Sequence, residues 1–415
     1  MVDGEQLGTV RTTAPAQPRR IAAVDALRGF ALFGIVVVNI AYLASGYRMA
    51  GLAEPAFSAP LDQEVRWVVT MFFENKFYLL FSFLFGYSLT LQVDSAANSG
   101  AAFVPRFLRR LAGLFLLGLA HAVLLFPGDI LATYAVVGLV LLAVRGIRPR
   151  TAVVAAVGLT MMLAMGFVLL AGLALLGADA SGTVAGGTVE AARSDAALQS
   201  SVSMIVSEHL HKLGKIVVLR VFFQGPAVLA ACLIGLAVGK KRLLADLSGH
   251  TAALRRLQWA GFTIGGAGAF VYAHSTWSGG GSAYHMLGQA VDLLTAPLLA
   301  AAYAATLLRL LPSMPRLTAV LTPPGRIALT NYLAQSLICS LIFTGYGLGL
   351  VDRLSPLVVS SIAVAIFAVQ AAYSAVWLRG HRYGPVEWLL RWLTNWRRPA
   401  AAPSSAPKLR PSRST

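Results

Sequence analysis

Residues 24–41, VDALRGFALFGIVVVNIA, form an apolar run long enough to build most of a bilayer-crossing helix, and it is interrupted by Asp25, Arg28 and Asn39. A charged side chain at the centre of such a helix costs roughly 2.5–3.5 kcal/mol on insertion scales. Asp25 and Arg28 stand three apart and can pair on one helix face. Arg28 and Asn39 are eleven apart, about three turns, so they return to one face roughly 16 Å along the axis. This spacing predicts a polar stripe turned toward the interior of a helical bundle, where it lines a polar cavity sheltered from lipid.

The remaining chain fits that setting. Of 415 residues 57% are hydrophobic and 12% charged, and mean hydropathy is +0.69, outside the range of soluble globular domains. Apolar segments of spanning length occur near 24–46, 66–92, 104–126, 129–145, 151–177, 215–239, 257–274, 286–311, 326–349 and 354–378. The expectation is an all-α, polytopic integral membrane bundle of about ten transmembrane helices. A net charge of +17 also suits nucleic acid, so the placement of the basic residues has to decide. With the N-terminus inside, 25 of the 34 Lys and Arg residues fall on the inner side, as the positive-inside rule demands. They are dispersed over loops without a stacking aromatic platform, which excludes nucleic acid as a partner. Both termini are expected in the cytoplasm, and the protein is a multi-pass resident of the cell membrane.

Residues 1–20 are polar and basic without the apolar core of a signal peptide, and read as a disordered cytoplasmic arm. Residues 21–378 make the bundle, with a long outer loop at 178–213 rich in Ala, Gly, Ser and Thr. Residues 379–396 contain the amphipathic stretch RYGPVEWLLRWLTNW, expected to lie on the cytoplasmic interface, and 397–415 form a basic disordered tail. Cys232 and Cys339 lie inside apolar runs and read as buried thiols. His209 and His211 have only Glu208 beside them, too few donors for a metal site, so no metal is expected.

Several polar residues have no place in an ordinary span. Glu74, Asn75 and Lys76 follow the apolar run Trp67–Phe73, which puts them about 10 Å inward. The alternative is an interfacial position with Lys76 snorkelling. Arg110 and His121 repeat the eleven-residue spacing on a second helix. His121 is the leading candidate for chemistry, because imidazole takes and returns a proton near neutrality; its bland role is a hydrogen-bonded packing residue. Asp129 follows the turn Pro127–Gly128 and reads both as a helix cap and as a group that orients His121. Tyr134 is expected at the depth of His121 across the hairpin. Asp292, two turns into an apolar run, is expected to pair with Arg220 or Lys76. Arg326, just after Pro324 and Gly325, reads as a helix start.

RIAAVDALRGFALFGIVVVNI, ENKFYLLFSFLFGYSL, LRRLAGLFLLGLAHAVLLFPGDILATYAVVG, GRIALTNYLAQSL and GPVEWLLRWLT resemble, in order over residues 20–396, the YeiB-like bacterial membrane proteins called domain of unknown function 418. That family is similar in turn to the transmembrane acyltransferase superfamily, with its acyltransferase-3 and heparan-glucosaminide N-acetyltransferase members. The polar residue of the first helix is a histidine in the former and an asparagine, as Asn39 here, in the latter. The catalytic histidine that the latter carry after this helix is replaced here by Tyr47, Arg48 and Met49. The resemblance implies transfer of an acyl group from acyl-CoA, with no tightly bound cofactor, to a hydroxyl or amine of a cell-envelope lipid or glycan. The expected roles are His121 as base, Asp129 or Tyr134 orienting it, and Asn39 as oxyanion donor. Arg28 and Arg110 would hold donor phosphates, with Asp25, Glu74, Lys76 and Asp292 completing the substrate site. The same buried charges also suit a transporter of a lipid-linked or small polar solute. Helix faces rich in Ala and Gly permit homodimer packing, and membrane lipids are partners in either case.

Overall fold

The computed structural model describes residues 17–98, 100, 102–176, 180–244, 249–279 and 281–395, and regular structure among them is helical. The first helix, α1 (Gln17–Ala44), runs into a short turn α2 (Gly46–Met49). Next come α3 (Pro60–Phe72), α4 (Lys76–Asn98), α5 (Phe103–Leu124), α6 (Leu131–Ala143) and α7 (Pro149–Leu176). A second group is α8 (Ala180–Leu198), α9 (Val202–Leu219), α10 (Gly225–Lys240), α11 (Thr251–Ala260) and α12 (Gly266–Trp277). The chain then forms α13 (Gly281–Leu310), α14 (Pro315–Arg326), α15 (Ala328–Phe343), α16 (Pro356–Gly380) and α17 (Pro385–Asn395).

Among the described residues seven helical stretches are long and apolar enough to cross a membrane, and α14 with α15, bent by 82°, make an eighth if counted as one broken span. The ten spans expected from the sequence are therefore not reached. The stretch near 129–145 yields only the thirteen residues of α6, about 20 Å of helix against a hydrocarbon core of about 30 Å. Residues 251–277 open on the polar turn TAALRRLQ, which dilutes their apolar content.

Helix α1 sits at the centre, packed on α4, α14, α15 and α16. Its approach to α14 needs two glycines: a Cβ on Gly29 would stand 2.0 Å from the Leu321 carbonyl oxygen, and one on Gly325 1.7 Å from that of Asp25. Backbones that close gain dispersion contacts, the main attraction between helices where lipid removes the hydrophobic drive. Leu27, Leu32, Ile40, Leu84 and Leu236 fill the interior, while α7 presents Val154, Met165 and Leu169 outward, the polarity expected of a lipid-facing surface.

The stretch expected as a long outer loop at 178–213 is instead helical where described, as α8 and most of α9. Its Ala, Glu and Arg content carries high helix propensity, which outweighed the Gly and Ser residues. Asp195 fastens α8 to the top of the bundle, its Oδ1 accepting from the Gly46 N–H at 2.6 Å. At the other end the expected amphipathic helix is α17. Its Leu390 is buried over Gly113 of α5, and Trp388 and Trp392 are exposed. Residues 1–16 of the expected arm and the expected tail 397–415 lie outside the described residues.

The bend between α14 and α15 is a constructed feature. A helix that restarts leaves its first N–H groups without intrahelical partners. Glu387 of α17 accepts from the Leu329 and Thr330 N–H groups at 2.7 and 3.1 Å and from Thr330 Oγ1 at 2.5 Å. Asn331 donates to the Pro324 carbonyl at 3.2 Å and to Ser374 Oγ at 2.9 Å. Arg326, expected to open a helix, ends α14 instead.

Candidate functional site

The second span breaks where its charges lie. α3 ends at Phe72 and α4 begins at Lys76, and Asn75 between them adopts a left-handed backbone with φ of +64°. Unwinding here turns Glu74, Asn75 and Lys76 in different directions, each toward a partner on another element. Lys76, fully buried, donates to Asp292 Oδ1 of α13 at 3.0 Å, and Asn75 Nδ2 donates to Asp292 Oδ2 at 2.8 Å. That burial disposes of the interfacial reading of Lys76. Arg220, the other partner weighed for Asp292, donates instead to the Pro127 carbonyl at 2.9 Å. Glu74 pairs with Arg48 of α2 and accepts from Tyr272 at 3.2 Å. Arg48 also donates to Thr70 Oγ1 at 3.2 Å, and its guanidinium lies 4.8 Å from the Trp277 ring. Two cations and two carboxylates, all enclosed, therefore balance in one network. Removing charges from water costs several kcal/mol per ion, so such groups persist only where each finds a partner.

A second polar cluster joins α5 to α6. Asp129 Oδ1 lies 2.9 Å from His121 Nδ1, while Oδ2 accepts from the Ala132 N–H at 2.9 Å. The cap and the orienting contact thus coexist on one carboxylate. Gly118 makes room for it, since a Cβ there would sit 2.7 Å from Asp129 Oδ2. A carboxylate facing Nδ1 accepts, so in the neutral ring the proton is on Nδ1 and Nε2 carries the lone pair. His121 Nε2 is buried and has no hydrogen-bond partner among the described residues. Tyr134 does not belong to this cluster: its hydroxyl lies 3.0 Å from Ser82 Oγ and its ring stacks on Phe85. Tyr134 lies one turn into α6 and turns toward α4, whereas Asp129, before the helix, turns toward α5.

Between the two clusters lies a cavity of about 360 Å3 whose polar lining includes Asn39, Glu74, Asn75, Arg220, Gln224 and Tyr332. Its size is within the range of about 300–1,000 Å3 for small-molecule pockets. Gln224 and Arg220 reach it from a single π-helical turn, Arg220–Gln224, that joins α9 to α10. His121 stands behind its wall, with the Tyr332 ring at 5.2 Å and the Phe126 ring at 6.4 Å. The expected stripe along α1 is thus divided. Asn39 lines the cavity, whereas Arg28, about 16 Å away, pairs with Asp25 at 2.8 Å and donates to Ser88 at 2.5 Å. Arg110 does not reach the cavity either; it interacts electrostatically with Arg28, Arg391 and Glu387 at the opposite end of α5. Asp25, Arg28 and Arg110 therefore form a separate arginine-rich group. Cys232 and Cys339 are buried free thiols, and His209 Nδ1 pairs with the Val123 carbonyl at 3.0 Å.

Sequence reading missed Arg48, Tyr272, Trp277 and Tyr332. Nothing local shows that Arg48, four residues past α1, is enclosed. Only its distant acid, Glu74, shows it.

A bundle of membrane-crossing helices enclosing paired charges and a polar cavity defines a polytopic all-α membrane protein with a polar interior. Residues 238–397 match the family described as Protein of unknown function (DUF418). Over 391 residues the chain is 34% identical to Uncharacterized protein YxaH of Bacillus subtilis (strain 168), covering 90% of this chain and 93% of that one. It is 29% identical over 400 residues to Uncharacterized protein YeiB of Escherichia coli (strain K12), covering 90% and 95%. The chain belongs to this DUF418 family, as its motifs suggested.

Proposed function

We propose that the protein is a membrane acyltransferase that moves an acyl group from acyl-CoA to a hydroxyl or amine of a cell-envelope lipid or glycan. The observation that carries this reading is the His121–Asp129 pair with its unpartnered Nε2, the arrangement of an oriented general base. In the reaction, Nε2 takes the proton from the acceptor as its oxygen or nitrogen attacks the thioester carbonyl. The carbon–sulfur bond then breaks, and the departing thiolate recovers the proton from His121. Asn39 in the cavity supplies an amide donor for the developing oxyanion, and Tyr332 must swing aside for the acceptor to meet His121. Arg110 and Arg28 suit the donor phosphates at the basic end. Eleven residues of α5, about 16 Å, separate Arg110 from His121, a distance suited to the extended arm of acyl-CoA.

The test uses protein in proteoliposomes with labelled acyl-CoA and an envelope lipid extract. Label should pass to a lipid or glycan product, and His121→Ala should lower the rate by about 10²–10⁴-fold in protein whose elution profile still shows it folded. Full transfer by that variant would remove the base from this scheme.

A transporter remains the competing reading, favoured by one observation. The break at Phe73–Asn75 sets ion pairs beside unwound backbone, a construction also found at carrier binding sites. Solute uptake driven by a proton gradient, with no acyl product, would decide for it.

A further inference from the structure

A second cavity, of about 580 Å3, lies between α4, α7, α10, α11 and α13. Of its 29 lining residues only Thr160 and His250 carry polar side chains, and the Thr160 hydroxyl already donates to the Ala156 carbonyl at 2.9 Å. Such a chamber offers a ligand almost nothing but hydrocarbon contact. Apolar cavities stay dry and accept apolar guests. Its lining extends from Ala227 to Val238 on α10 and from Leu293 to Leu308 on α13, about 17 and 23 Å of helix. One leaflet's hydrocarbon is about 15 Å deep. The chamber is therefore as long as an extended lipid tail.

Charge marks one end. The lining passes through Leu243 and Leu244, just after α10, to Ala253, Leu254 and Leu257 of α11. Around that end Lys241, Arg255 and Arg256 are exposed, and none has an ion pair or side-chain hydrogen bond among the described residues. Their neighbours differ: Lys240 donates to the Ile147 carbonyl at 2.6 Å, and Arg242 faces Asp94 at 3.7 Å. These three cations, unpaired among the described residues and next in sequence to lining residues of an apolar slot, complement an anionic headgroup attached to an acyl tail.

We propose that this chamber binds one acyl chain of an anionic phospholipid from the leaflet at the basic end of the bundle, with the lipid phosphate held by Lys241, Arg255 and Arg256. The site stands whether or not the protein transfers acyl groups, because it rests on the chamber and its rim alone.

The probe is phosphatidylglycerol with a diazirine in one acyl chain, compared with phosphatidylcholine and a free fatty acid carrying the same group. Each is photolysed with the full-length protein in detergent, and labelled residues are mapped by peptide mass spectrometry. Label from phosphatidylglycerol is expected on the cavity faces of α10 and α13. Ala231→Trp and Ala301→Trp, which fill the chamber, should each cut that label at least tenfold while elution profile and melting temperature hold. The double charge reversal Arg255→Glu and Arg256→Glu should lower phosphatidylglycerol labelling severalfold and leave phosphatidylcholine unchanged. Label confined to outward faces of the wild-type protein would overturn the site without any variant. Equal labelling by phosphatidylcholine would overturn the headgroup assignment. Stronger labelling by the fatty acid, indifferent to the charge reversal, would overturn the phospholipid as occupant.

Discussion

Asp292 meets Lys76 across 216 positions of sequence, and the pair shows what a buried charge costs when left alone. In Lys76→Met the Asp292 carboxylate retains only Asn75 among the described residues, and the variant should lose about 3–5 kcal/mol, read as the fall in unfolding free energy in detergent. The double variant Lys76→Met with Asp292→Leu should recover most of that loss, since it removes both ions together. Asp129 allows a different separation. Asparagine can still accept from the Ala132 N–H through its oxygen, but its amide N–H groups then face His121 Nδ1 and force the ring proton onto Nε2. If the protein works as the proposed acyltransferase, transfer by Asp129→Asn should therefore fall by about 10²–10⁴-fold with little change in melting temperature. At this scale the sequence revealed local partners. Asp25 and Arg28 were readable as a helical pair three apart, whereas Arg48 with Glu74 and Lys76 with Asp292 join elements whose relative placement no local spacing encodes.

The elements that matter most are those that stop short. Asn75 ends the first half of the second span in the left-handed region, where asparagine and glycine fit and β-branched residues do not. Asn75→Gly should keep the fold and lose only the hydrogen bond to the Asp292 carboxylate, about 1.5–3 kcal/mol. Asn75→Val adds the strain of that backbone, about 1–2 kcal/mol more, and thermal unfolding of the two variants side by side should show the difference. The sequence marked this place as anomalous through its charges, yet gave no turn signal, because a break inside an apolar run is stabilised by partners elsewhere. The same holds for the α14–α15 bend, closed by Glu387 from a helix more than fifty residues later.

At the scale of the whole molecule, the junction of α8 with α2 is expected to respond to pH. Burial is the main cause that pushes the Asp195 carboxyl up to about 6; the Gly46 N–H opposes that shift and the nearby Asp352 adds to it. The unfolded chain titrates this group near its usual value of about 3.9. Between those values the folded protein binds a proton that the unfolded chain does not, so stability falls as pH rises through the window. Melting temperature should rise as pH is lowered from 7 toward 5, and Asp195→Asn should remove that part of the dependence. A wild-type profile parallel to that of the variant would show that the carboxyl titrates normally. The two cavities belong to this scale too. The polar one lies at the end of α1 that carries Asn39, and the apolar one reaches the basic turns after α10. α4 lines both, with Tyr78 in the first and Leu79 in the second.

The sequence by itself determined that this is a helical membrane protein with polar groups turned inward. Hydrophobicity and helical period are properties of contiguous residues, and the cost of a charge in lipid forbids most other placements. Only the tertiary structure decided which charges meet, that His121 faces Asp129 rather than Tyr134, that the α1 stripe divides between two ends, and that an apolar chamber adjoins the polar one. Those outcomes depend on the rotation and register of one helix against another, which packing sets and a single chain's spacing leaves open.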